Sequence, residues 1–88
     1  MNNNHKNADA VLEWCKQQTD VAYKMLMVSF ETALKDISNA SNLSDVQKAK
    51  SERDLVGLFW ARKNEIDFVS GLTHGLKIMN KFNEMMGN

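Results

Sequence analysis

The chain of 88 residues has room for one domain, and a compact monomer of this size buries only about 60% of the surface its unfolded chain exposes. Eleven Lys and Arg balance eleven Asp and Glu, and the balance holds in each half, with four basic and five acidic side chains in 1–43 and seven and six in 44–88. That excludes a basic groove for nucleic acid and a polybasic tail for anionic lipid, while the single cysteine, Cys15, excludes an internal disulfide and fits a reducing compartment.

Residues 1–7 are polar and Asn-rich, and no apolar h-region follows them, so they do not read as a secretory signal. No apolar run reaches the length of a membrane span. The cytoplasm is the expected location, with export without a cleaved signal as the alternative. The segment 1–7 is expected to be a disordered lead, with Asn7 as N-cap and Asp9 in the first turn, where the helix dipole favours an acid.

From residue 8 to 38 the pattern is helical. Leu12, Cys15, Thr19, Tyr23, Leu26, Phe30, Leu34 and Ile37 recur at steps of three and four. A second row beside them holds Val11, Trp14, Val21, Met25 and Val28. Together they form a wide apolar face. The other side carries Glu13, Lys16, Lys24, Glu31 and Lys35, with Glu31 and Lys35 an i,i+4 pair in the favourable order.

Residues 39–44 are the expected turn, because Ser and Asn side chains compete with helical backbone bonds. Ser44-Asp45-Val46-Gln47 then has the form of a capping box, in which the Ser hydroxyl takes the Gln47 N–H and the Gln side chain takes the Ser44 N–H.

A second helix is expected over 45–86. Its main row is Leu55, Phe59, Ile66, Val69, Leu72, Leu76 and Met79. Gly57, Gly71 and Gly75 interrupt it, each costing about 1 kcal/mol relative to Ala. The apolar row keeps its phase across Gly71 and Gly75, which argues for one continuous helix; the alternative is a break there and a third short C-terminal helix. Gly71 and Gly75 share a face and could admit a neighbouring helix closely.

The fold class that follows is all-α: an antiparallel two-helix hairpin that associates into a helical bundle. A fold centred on Asn42 sets Ala8 beside about residue 75 and leaves Leu76 to Met86 overhanging by roughly 15 Å. The wide face of the first helix also exceeds what one neighbour covers. A homo-oligomer, or a helical partner protein, is the expected completion. The interface residues expected are Trp14, Met25, Phe30, Phe59, Trp60, Leu72, Leu76, Met79, Phe82 and Met86, since aromatic rings and flexible Met side chains dominate apolar contact.

Chemistry-bearing constellations are missing. His5 and His74 have no second His or Cys at ligand spacing, so neither a metal nor another cofactor is expected. In the register centred on Asn42, Cys15 faces about residue 68 and His74 lies about 9 Å further along the axis, too far for a Cys–His pair. No glycine follows a strand to cradle phosphate. The chain does not read as an enzyme.

The runs Ala22-Tyr23-Lys24-Met25-Leu26 and Ala33-Leu34-Lys35-Asp36-Ile37, the polar break after them and the helix opening Ser44-Asp45-Val46-Gln47 resemble the phasins, helical proteins that coat intracellular polyhydroxyalkanoate granules. The resemblance covers roughly residues 10–86. It implies a non-catalytic coat or scaffold whose apolar face covers polyester while the charged face meets the cytoplasm. The alternative readings are a small helical component or chaperone of a bacterial secretion apparatus, and a regulatory protein-binding module.

Overall fold

With no proline in the chain, only the Ser/Asn-rich break can interrupt the backbone ladder. The computed structural model describes the backbone of residues 2–87 and the side chains of 7–87. It folds these residues into two helices, α1 (Asn2–Asn39) and α2 (Asp45–Met85), packed as an antiparallel hairpin with no strand among the described residues.

Helix α1 begins at Asn2, so the disordered lead expected over 1–7 is helical from that residue onward and Asn7 is not an N-cap. Nothing between Asn2 and Ala8 is a helix breaker, and once later turns exist each added residue gains a backbone bond. At the other end Ala40 donates its N–H to the Ile37 carbonyl at 3.2 Å, tightening the last turn.

The capping box at α2 is formed in full. The Gln47 N–H donates to Ser44 Oγ at 3.2 Å and the Ser44 N–H donates to Gln47 Oε1 at 2.9 Å. Lys48 reaches back across the turn and donates to the Ser38 carbonyl at 3.1 Å, placing a cation at the negative end of α1. Helix α2 then runs unbroken through Gly71 and Gly75, so there is no third helix among the described residues. It closes on Met86, with Gly87 at φ 82°, the left-handed conformation glycine supplies at helix ends.

Cross-helix contacts fix the register. Lys77 pairs with Glu13 at 2.8 Å, Asn80 donates to Asp9 at 2.6 Å, Tyr23 donates to Asp67, and the Phe30 and Phe59 rings sit 4.5 Å apart. These pairs centre the fold near Ser44, not Asn42. The overhang expected beyond residue 75 is therefore absent: α2 starts at Asp45 as expected, but the register centres nearer Ser44 than Asn42 and α1 starts at Asn2, so α1 accompanies α2 along its C-terminal turns. The result is a rod with extents of 65 × 15 × 11 Å.

Candidate functional site

Away from the turn, the most buried part of the seam between the helices is made of small polar side chains. Thr19 and Thr73, 6% and 8% exposed, are the only buried residues among those described, and no apolar residue there is buried. Their hydroxyls are satisfied within their own helices, Thr19 by the Cys15 carbonyl at 2.8 Å and Thr73 by the Val69 carbonyl at 2.9 Å. Two short β-branched side chains at the waist let the helices approach while the hydroxyls stay bonded. Toward the turn, the Phe30 and Phe59 rings meet tilted at 42° to each other, and the Trp60 ring meets Phe59 edge-on at 5.8 Å.

The α2 residues that face α1 differ from the most apolar row. Leu55, Phe59 and Ile66 turn inward as expected, but beyond Ile66 the inward positions are Ser70, Thr73, Lys77 and Asn80. Val69, Leu72, Leu76 and Met79, which continue the main apolar row, are left exposed. The seam stays with the helical phase set by Ile66 and Thr73, and the apolar row drifts off it.

That drift gives the rod two unlike flanks. On one, a groove is lined by Ala8, Val11, Leu12, Leu76 and Met79, and the next by Trp14, Cys15, Ala22, Ile66 and Val69. The two grooves share a side, because Val11 and Trp14 are three apart on α1 and Val69 and Leu76 seven apart on α2. Met25, seven after Gln18 in the second groove, extends the same stripe. Trp14 and Met79 remain 60% and 62% exposed there. On the other flank the grooves are lined by Lys16, Ser70, His74 and Lys77, and by Asp9, Glu13, Lys77, Lys81 and Glu84.

Three of the four ion pairs among the described residues lie on the charged flank; the fourth, Arg62–Glu65 at 3.2 Å, lies on the other side, where Glu65 lines the second groove. Lys77 bonds Glu13 across the helices, Lys16 bonds Asp20 at 3.1 Å, and Lys63 reaches Asp67 at 2.9 Å. The hydrogen bond from Lys77, and then its charge, holds the Glu13 carboxyl below its ordinary range. Asp67 is lowered first by the Tyr23 hydroxyl and then by Lys63, and the same hydrogen bond raises the Tyr23 phenol. Lys16 is raised by its bond to Asp20. These groups lie at the surface, so each link adds little stability alone.

The interface residues expected from the sequence are split by this arrangement. Trp14, Met25, Leu72, Leu76 and Met79 belong to the exposed apolar side. Phe82 and Met86 are exposed on the outer side of the last turns of α2. Phe30 and Phe59 face each other in the hairpin seam, half-buried. Trp60 is exposed but turned toward Lys63, whose ammonium sits 5.6 Å from the ring centre. Phe68, an aromatic ring expected to contribute to such contacts, and Ile78, in the expected overhang, are exposed as well.

The corrected register brings Cys15 near the level of His74, but the two open on opposite flanks with the threonine waist between them. No nucleophile–base pair results. Among the described residues no cluster of His, Cys, Asp or Glu is arranged to hold a metal ion, and no helix is long and apolar enough to cross a membrane. No family model matches the chain, and no curated protein or solved structure is significantly similar to it.

Proposed function

We propose that this chain is a non-catalytic coat or scaffold protein that lays its apolar flank on an apolar surface in the cytoplasm and turns its charged flank to water, in the manner of a granule-coating phasin. One observation carries the reading. The hairpin buries none of its described apolar side chains, and an exposed apolar stripe of Val11, Trp14, Met25, Val69, Leu76 and Met79 lies opposite a flank that holds three of the four ion pairs among the described residues. A protein that folded to bury these residues within itself would leave no such stripe. Apolar surface held open along a rod is gained back as free energy when it meets another apolar surface, at about 25 cal/mol for each Å² removed from water.

The resemblance of Ala22–Leu26, Ala33–Ile37 and the Ser44 capping box to the phasins names the surface: a polyester granule. The test is partitioning of the purified protein between buffer and washed polyhydroxyalkanoate granules. Saturable adsorption, lost when Trp14 and Met79 are both replaced by Glu while helicity is kept, is the expected result. A folded protein that stays in the buffer overturns the granule reading.

A further inference from the structure

The side of α2 that points directly away from α1 carries a second seam, separate from the apolar flank. Gly71 and Gly75 each lie two residues from the buried Thr73, which at 3.6 residues per turn sets them on the far side of the helix. From Gly57 to Phe82 the residues on this side recur at alternating steps of four and three, the spacing of a helix-packing seam. All of them are exposed, with Phe68 68% exposed. A side chain built at Gly57, Gly71 or Gly75 meets nothing within 4 Å, so the hairpin itself has no need of a glycine there. Three glycines in the interior of one helix, each costing about 1 kcal/mol, are thus unexplained by the hairpin.

We infer that this seam binds the same seam of a second copy, antiparallel, about a two-fold axis between Val69 and Ser70. In that register every layer sets a large residue against a small one. Gly57 stands opposite Phe82 of the second copy, Ala61 opposite Ile78, and Phe68 opposite Gly71; the two-fold repeats each pair in reverse. The fourth layer sets Asn64 against Gly75. A single polar Asn in an apolar seam fixes register, and the bare backbone at Gly75 gives its amide room. Alternation of large and small across facing positions is what lets helices interdigitate. Here one sequence supplies both halves, which points to a copy of itself and not to a different helix.

The seam spans about 38 Å of helix, and the two Phe rings of each copy bring about 150–250 Å² apiece. Phe68, Ile78 and Phe82, 68%, 57% and 60% exposed in the hairpin, supply most of the apolar area that each copy contributes. The two-fold axis runs perpendicular to the plane of the paired helices, so both apolar flanks end on the same side. The dimer is a flat four-helix plate with one apolar and one charged face. The inference goes beyond the granule reading and does not depend on it.

The experiment is absolute molar mass by light scattering and sedimentation equilibrium, on three proteins. The wild type is expected at twice the chain mass. Gly71→Phe fills the hole for Phe68 and should raise the dissociation constant at least about tenfold, the scale of one overpacked contact. Phe68→Ala with Gly71→Phe exchanges large and small within that layer and should recover the dimer. A register check uses Cys15→Ser, Asn64→Cys, Gly75→Cys, which should cross-link to a covalent dimer on oxidation; Cys15→Ser, Asn64→Cys, Ile78→Cys should not. A monomeric wild type, a dimer indifferent to Gly71→Phe, or cross-linking only through the Ile78 position each overturns the inference. Granule adsorption by monomeric Gly71→Phe would separate the two readings, since the flank is intact in that variant.

Discussion

Tyr23 donates its phenolic hydrogen to the carboxylate of Asp67, joining two residues 44 positions apart in the chain. The bond crosses the hairpin between the threonine waist and the Phe30–Phe59 pair, and Lys63 supports it from the same helix as Asp67. It makes a surface contact sensitive to pH in two directions.

Asp67 and Glu13 are held below their ordinary values of 3.8 and 4.5. Their contribution is complete above those values and is lost as pH falls through the lower folded ones. Tyr23 is raised above 10.0, so its contribution is complete below that value and is lost as pH rises through the folded one. The melting midpoint should be flat from about pH 5 to 9 and fall outside that window. Tyr23 is the only tyrosine, so phenolate absorbance reads its titration directly. A midpoint at or below the ordinary value counts against the bond, and Tyr23→Phe should move the acid limb of the melt toward higher pH.

Ser44→Ala removes the capping box and should cost about 1 kcal/mol, whereas Ser44→Gly should cost only a few tenths. Thermal melts of the two variants at one protein concentration separate a lost cap from a general disturbance of the turn. Equal losses would show that the Ser44 hydroxyl is idle.

At the waist, Thr19→Val keeps the shape and drops a hydroxyl whose partner, the Cys15 carbonyl, lies within its own helix. Little change is expected. Thr19→Leu adds bulk between helices already in contact and should cost about 1–3 kcal/mol. Denaturant melts that rank the two in the opposite order would mean that the waist is loose.

Phe30→Ala removes one ring of the cross-helix pair. Because the pair is half-buried, the loss should be about 2 kcal/mol, below the full core cost of such a change. Granule adsorption should survive it, since Phe30 is turned inward. Loss of adsorption with helicity unchanged would place Phe30 on the binding surface instead.

Replacing Phe82 and Met86 together with Asp should leave helicity largely intact and weaken self-association. Circular dichroism and sedimentation on the same sample read both. Global unfolding would mean that the last turns of α2 stabilise the hairpin itself.

The parts of this fold that depend on near neighbours were legible in the chain. The capping box needs only Ser44 and Gln47, three apart, and the inward row of α1 needs only a period. Register depends on how two distant faces interlock, and an error of a few residues at the Asn42 bend turned Leu76–Met86 into an overhang that α1 in fact accompanies. The inward row of α2 misled for a different reason. Apolar character alone does not say which row faces the other helix, and here, beyond Ile66, the most apolar row of α2 is exposed while Thr73 is buried. Val69, Leu72 and Leu76 carry the apolar signal, whereas Thr73, the residue that is buried against α1, carries none. The split between a greasy and a charged flank follows from this misalignment.

The rod's proportions carry a last consequence for a particle that wears it. A body 65 Å long and 11 Å across its thin dimension, lying on its side, makes a skin a single helix deep. Such a skin adds almost nothing to the particle's diameter. Stiff straight rods also cannot tile a curved sphere without leaving slits between them. Through those slits the surface beneath would stay in contact with water, so a skin of such rods would be thin and open at once.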